Sequence, residues 1–179
     1  MLKLILNKKY NPLFSSDARY FIITGGRGSG KSFAVTVFLT LLTMTKGIRI
    51  LFTRYTMTSA HLSIIPEFLE KIGLLGFDEV FSINKAEVVN TSNQSDILFR
   101  GIRTSAGNQT ASLKSLQGIS TWVLDEAEEL VDENIFDTID LSIREKNIHN
   151  RVVLILNPVT KEHWIYKRFF EDKGIEGGF

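Results

Sequence analysis

Between an apolar run, Tyr20-Phe21-Ile22-Ile23-Thr24, and an apolar-striped segment from Phe33 to Met44 lie the residues Gly25-Gly26-Arg27-Gly28-Ser29-Gly30-Lys31-Ser32. The order is strand, glycine loop, helix. The spacing G-x-x-x-x-G-K-S in that setting is the phosphate-binding P-loop. Glycines let backbone N–H groups turn inward and approach a phosphate closely. The N-terminus of the following helix adds a partial positive charge. In such a loop Lys31 reaches the β- and γ-phosphates of a nucleotide and the Ser32 hydroxyl holds Mg²⁺. The alternative is a glycine turn with no ligand. At average composition the pattern arises by chance in about 1% of chains of this length, and the flanking strand and helix make chance rarer still.

A length of 179 residues suits one domain, and 44% hydrophobic with 23% charged residues suits a packed core. The absence of cysteine excludes a disulfide framework and a thiolate metal site, and fits a reducing compartment. No apolar run approaches the ~20 residues of a membrane span. The opening residues, Met1 to Lys9, are too short for a signal peptide. A net charge of +1 is low for a domain that grips DNA alone. The charge is uneven, however. From Ile97 to Leu124 there are three cations, Arg100, Arg103 and Lys114, and no acid; from Asp125 to Glu145 there are nine acids and one cation, Arg144. The asymmetry is either ordinary surface variation or functional: the acidic block cannot be a DNA-facing surface, whereas the basic stretch could be one.

Asn11-Pro12 signals a turn before the first core strand. Phe33, Val37, Phe38, Leu41, Leu42 and Met44 fall at helical spacing and predict an amphipathic helix. Ile48–Thr53 is a short apolar run of strand length, and Ser59–Ile72 reads as a helix interrupted or kinked at Pro66. Between Phe77 and Phe99, two runs (87–89 and 96–99) flank a polar stretch from Asn90 to Ser95 and predict a β-hairpin. Gly101 to Ser112 reads as a polar loop, with Thr104–Thr110 its most polar part. Thr121–Leu124 and Val152–Leu156 read as buried strands. Glu133–Ile143 reads as a helix with Asp132 at its N-cap, and Trp164–Phe170 as a last short helix. Strands alternating with helices, several strands continuously apolar, imply an α/β fold: a mostly parallel central sheet flanked by helices on both faces.

The strand Trp122-Val123-Leu124 ends in Asp125-Glu126. With a P-loop present, this is the Walker B arrangement, with Asp125 as the Mg²⁺ ligand. Glu126, one residue on, is placed to orient the attacking water. The strand Val152–Leu156 ends in Asn157-Pro158. Asn157 is either a γ-phosphate sensor or a turn initiator. If the sheet has the additional-strand order, this strand lies between the P-loop strand and the Walker B strand, and Asn157 points into the site. Arg27, inside the P-loop, has a charge that could bind phosphate or read a neighbouring subunit, and Arg54, ending the Ile48–Thr53 run, is a candidate arginine finger or sensor. For each the alternative is a solvated surface arginine. His61, His149 and His163 lack metal-ligand spacing.

These residues carry a resemblance. The P-loop with Arg27 at its third position, Phe52-Thr53-Arg54, Leu98-Phe99-Arg100-Gly101-Ile102, Leu113-Lys114-Ser115-Leu116-Gln117-Gly118, Trp122-Val123-Leu124-Asp125-Glu126-Ala127, and Asn157-Pro158-Val159 with His163-Trp164 follow one order. That order resembles the N-terminal ATPase domain of the large terminase subunit of tailed bacteriophages, from about Tyr20 to Phe170. The resemblance implies a P-loop NTPase of the additional-strand, catalytic-glutamate class with ATP and Mg²⁺ as cofactors. It implies a motor that pumps double-stranded DNA into procapsids, with the portal protein and the small terminase subunit as partners. It further implies self-association into a ring, no membrane, and a place in the host bacterial cytoplasm, transiently at the portal. In that reading Glu126, Lys31, Arg54, Arg27 and Asn157 carry catalysis, and Gly25 to Ser32 bind nucleotide. Ser32 and Asp125 hold the metal. The family's C-terminal nuclease domain has no counterpart in residues 1–179, so nuclease activity is not expected of them. Two rivals are a helicase-like NTPase and an ATP-gated assembly module with incidental hydrolysis.

Overall fold

The computed structural model describes residues 4–57, 60–104, 107–108, 113 and 115–175. Eight strands form one sheet: β1 (Tyr20–Thr24), β2 (Arg49–Thr56), β3 (Phe81–Ile83), β4 (Glu87–Asn90), β5 (Asp96–Thr104), β6 (Gly107–Asn108), β7 (Thr121–Asp125) and β8 (Arg151–Leu156). Their spatial order is β1-β8-β7-β2-β5-β4-β3, with β6 paired to β5. β1, β8, β7, β2 and β5 run parallel, whereas β4 and β3 continue the sheet antiparallel. β8 therefore lies between β1 and β7, the additional-strand order anticipated from the sequence.

Runs such as Trp122-Val123-Leu124 and Val152-Val153-Leu154-Ile155-Leu156 are buried throughout because both sheet faces are covered. Alternate residues feed two cores. On one face Phe52, Phe99, Val123 and Val153 pack with α2 (Lys31–Leu42) and α3 (Ala60–Leu74), where the rings of Phe52, Phe68 and Phe99 lie 5.2–5.7 Å apart. α1 (Pro12–Ser15) supports that face through Leu13, and Phe14 meets Phe38 edge to face. On the other face Leu51, Trp122, Leu124 and Leu154 pack with α4 (Glu133–Asp140) and α5 (Trp164–Phe169). Phe136 of α4 is fully buried there, 5.1 Å from the Trp122 ring and 4.8 Å from the Trp164 ring.

Several expectations need correction. The helix after the P-loop is not amphipathic: every residue from Ala34 to Thr40 is buried, because the helix lies under α1 and α3 as well as on the sheet. Pro66 does not end α3, which continues to Leu74. The proposed loop at Gly101 begins as strand, since Gly101–Thr104 continue β5 and β6 pairs back onto it. Ser59, Lys114 and residues 105, 106 and 109–112 of that loop lie outside the described residues. The α4 helix ends at Asp140 rather than Ile143, and Asp132 caps it by accepting from the Asn134 N–H. The hairpin is present as β4 and β5. Its polar turn also serves a neighbour: Asn90 and Asn93 donate to the carbonyl oxygens of Thr43 and Met44, which close the C-terminal end of α2. Among the described residues no helix is long and apolar enough to cross a membrane.

Phe136→Ala is expected to destabilise the fold by about 3–5 kcal/mol, measured by urea denaturation, because a fully buried ring contacting two indoles is removed from a face that cannot collapse around it.

Candidate functional site

Parallel strands bring their C-terminal ends to one edge of the sheet, and ligands of open α/β sheets bind there. Here that edge carries Gly25 after β1, Asn157 after β8, Asp125 at the end of β7, and Arg54 on β2. Asn157, Asp125 and Arg54 line a cleft of about 370 Å³ with Gly26 to Phe33, Glu126 and Glu128. The site residues singled out in the sequence are thus gathered in one place. Gly25 lies behind the lip of the cleft, in contact with Lys31.

The P-loop has the conformation that its glycines permit. Gly25 has φ +151°, and a Cβ there would sit 3.0 Å from Ser29 Oγ; Gly30 has φ +83° at the N-cap of α2. The Lys31 ammonium is largely buried and donates to the carbonyl oxygens of Gly25 and Gly26 and, at 3.4 Å, to Asn157 Oδ1. Arg27 and Ser32 are exposed at the cleft. From behind, the Tyr10 hydroxyl donates to Ser29 O at 2.8 Å, so the N-terminal segment braces the loop. No sequence pattern marks Tyr10 for this.

Arg54 is not a solvated surface arginine. Its Nε and Nη2 donate to Asp125 Oδ2 at 2.8 and 2.7 Å, and its Nε lies 3.7 Å from Glu126 Oε2. Burial opposes the charge on Arg54, but the attraction and hydrogen bonds of Asp125 outweigh it and hold the group above the ordinary arginine value. Asp125 is buried and Glu126 is half-exposed with a left-handed backbone, φ +53°. That turn breaks the strand and sends the chain into a single 3₁₀ turn, Ala127–Glu129. The Glu126 carboxyl is held above the usual carboxylate range, chiefly by burial, with Asp125, Glu129 and Glu128 adding repulsion and Arg54 opposing.

Asn157 has a second partner that no motif pointed to. Its Nδ2 donates to Glu128 Oε1 at 2.7 Å. Glu128 is joined in turn to His163, whose Nε2 lies 3.2 Å from the Glu128 carbonyl oxygen and whose Nδ1 accepts from the Ile165 N–H at the start of α5. Glu128 was hidden in a run of acids, and His163 is not a common capping residue. Oxygen donors at Ser32 and Asp125 suit a hard cation such as Mg²⁺. Among the described residues no group of three or more His, Asp or Glu has the geometry to hold a metal ion.

The profile of the phage terminase large subunit family matches residues 17–177. The chain belongs to that family. The large terminase subunit of Bacillus phage SPP1 is 23% identical over 189 aligned residues, covering 94% of this chain and 43% of that protein. The large terminase of a thermophilic bacteriophage superposes with a TM-score of 0.74 at 12% identity, over 95% of this chain and 43% of its own. The N-terminal domain of the DNA packaging ATPase of bacteriophage phi29 gives 0.66 at 15% identity, over 97% and 87%. The chain thus spans less than half the length of the SPP1 and thermophilic phage terminases, and its fold is that of the terminase P-loop NTPase domain.

A carboxyl whose folded pKa is raised binds its proton more tightly in the folded chain than in the unfolded one. Ionised Glu126 therefore costs stability above its folded pKa, and the cost fades as pH falls. Glu126→Gln is expected to raise the thermal midpoint of the chain at neutral pH, with a gain that shrinks on acidification, as read by paired melting curves of the two proteins.

Proposed function

We propose that this chain is the ATP-hydrolysing domain of a motor that packages double-stranded viral DNA into a procapsid. The observation that carries the reading is the meeting of P-loop, Asp125–Glu126 pair and Asn157 on one sheet edge, with β8 inserted between β1 and β7. Family membership supports it, as do structures of the thermophilic phage large terminase with ATP-gamma-S and with ADP. The phi29 protein of the same fold is a component of a viral genome packaging motor assembly.

In this reading the amides of Gly26 to Ser32 and the Lys31 ammonium bind the phosphates, and Lys31 exchanges the carbonyl oxygens of Gly25 and Gly26 for phosphate oxygens. Ser32 and Asp125 would hold Mg²⁺, which would supply positive charge against the phosphates. Arg54 donates to Asp125 Oδ2 and lines the cleft, where its guanidinium can serve as a phosphate partner. Glu126 orients water for in-line attack on the γ-phosphate and takes up its proton. Asn157, tied to Lys31, senses whether the γ-phosphate is present. Arg27, exposed at the lip, supplies a further positive charge to the phosphates.

The wider partners belong to the same proposal. They are double-stranded DNA, a portal protein and a small terminase subunit. The working form is a ring of these chains at the procapsid portal in the host cytoplasm, with a neighbour's arginine completing each site. Such an arginine is worth about 10³–10⁵ in rate.

Steady-state ATP hydrolysis across a range of chain concentrations tests the reading, with Glu126→Gln as control. Hydrolysis that depends on Glu126 and whose specific activity climbs with concentration is expected. Flat, Glu126-dependent activity would keep the ATPase and remove completion between subunits; equal silence of both proteins would leave an ATP-gated binding module. Lys31→Ala is expected to abolish nucleotide binding in equilibrium titrations with a fluorescent ATP analogue, and normal binding would overturn the site assignment.

A further inference from the structure

We propose that Glu128 is a positioning residue, which fixes the orientation of the Asn157 amide toward Lys31 and links it to the start of α5. The inference rests on the ATPase reading above, and deepens it by naming what holds the γ-phosphate sensor and where its signal goes.

An ammonium can only donate and a carboxylate can only accept. Asn157 lies between one of each: its Oδ1 faces Lys31 Nζ at 3.4 Å, and its Nδ2 faces Glu128 Oε1 at 2.7 Å. Only one orientation of the amide satisfies both neighbours, so the charge on Glu128 selects it. The short contact to Glu128 is charge-assisted and the longer one to Lys31 is weak. Glu128 is thus the firmer anchor. When Lys31 turns to a γ-phosphate, Asn157 keeps Glu128 as its partner, and the amide retains a second N–H that Glu128 does not use.

Glu128 also has the means to pass a movement on. Its side chain lines the nucleotide cleft, and its Oε2 is buried with no hydrogen-bond partner among the described residues. A buried carboxylate oxygen with no partner is costly to keep for structure alone. Its main-chain carbonyl meets His163 Nε2 at 3.2 Å. Because His163 Nδ1 accepts from the Ile165 N–H, the neutral ring carries its proton on Nε2 and donates it to Glu128. Two residues on, the Leu130 carbonyl accepts from the Trp164 indole at 2.6 Å. The 3₁₀ turn Ala127–Glu129 and the N-terminus of α5 are therefore joined at two points. A change at Lys31 reaches α5 through Asn157, Glu128 and His163 without crossing solvent.

The test is discrimination between nucleotides, which a merely structural role would not alter. Equilibrium titrations of the 179-residue chain with fluorescent ADP and fluorescent ATP-gamma-S give the ratio of the two dissociation constants. Glu128→Ala is expected to lower the wild-type preference for ATP-gamma-S by about ten- to a hundredfold, the range for losing one charge-assisted hydrogen bond, and to leave ADP affinity within about twofold. Glu128→Gln keeps an acceptor and is expected to restore most of the preference. Glu128→Leu fills the same space without an acceptor and repeats the alanine result should the smaller side chain fail to fold. Adding Glu128→Ala to Asn157→Ala is expected to cost nothing further, since one pathway is already cut. An unchanged ratio, equal weakening of both nucleotides, or full additivity with Asn157→Ala would each overturn the role of Glu128 and leave the ATPase reading standing. A wild-type chain that binds neither nucleotide would instead remove the ATPase reading, and this inference with it.

Discussion

Strand β8 pairs on both sides, with β1 from Val152 to Leu156 and with β7 from Arg151 to Ile155, and the site hangs on that double pairing. Five of its six residues are buried on two faces at once. A slip of one residue would turn the whole set over and exchange the two cores. The register is therefore held from both sides, and with it the point at which the strand ends. Asn157 follows directly, and cannot move along the strand axis relative to the P-loop or to Asp125. A parallel sheet has no hairpins to bring its strand ends together, so it relies on registers of this kind to assemble a site from distant parts of the chain.

Charge is the second organising element. Three cations, Lys31, Arg54 and the exposed Arg27, and three acids, Asp125, Glu126 and Glu128, share a small cleft. Lys31 and Arg54 each rest on acceptors of their own chain: Lys31 on loop carbonyls and Asn157, Arg54 on Asp125. Unpaired, either would be expensive to bury. Both partnerships are of a kind that a triphosphate and a divalent cation can replace, since they offer the same charges at higher density. The site is thus neutralised internally in a way that ligand binding exchanges rather than builds from nothing. The raised pKa of Glu126 comes chiefly from burial, to which the neighbouring carboxylates add repulsion.

Much of this was legible in the residues. The glycine spacing before Lys31-Ser32 and the apolar run into Asp125-Glu126 are local patterns with mechanical causes, and both stand where the motifs placed them. The place of β8 was readable only conditionally, because strand order is a long-range property that the run Val152–Leu156 does not encode by itself. Polarity misled at Gly101: the residues that open that polar stretch continue β5 and pair with β2 and β6, so polarity there is no sign of a loop. Helical spacing misled at α2, where the apolar residues looked like one stripe but the helix is buried from Ala34 to Thr40. For Arg54 the sequence left a site arginine and a solvated surface charge both open, and only β2 lying beside β7, which brings it onto Asp125, decides between them. Tyr10, Glu128 and His163 act through single hydrogen bonds to backbone or amide groups far away in sequence, and no spacing rule points to such contacts.

The helix that begins at the P-loop is held at each end, by Tyr10 beneath Ser29 and by Asn90 and Asn93 at Thr43 and Met44, and is buried from Ala34 to Thr40. The opposite wall of the cleft is built differently: one turn of 3₁₀ helix, a half-exposed Glu126 in a left-handed bend, and a six-residue helix tied to that turn by two hydrogen bonds and to α4 by the ion pairs of Arg168 with Glu133 and Asp137. One wall is thus a single continuous helix fixed at both ends, whereas the other is an assembly of short pieces joined by side-chain contacts.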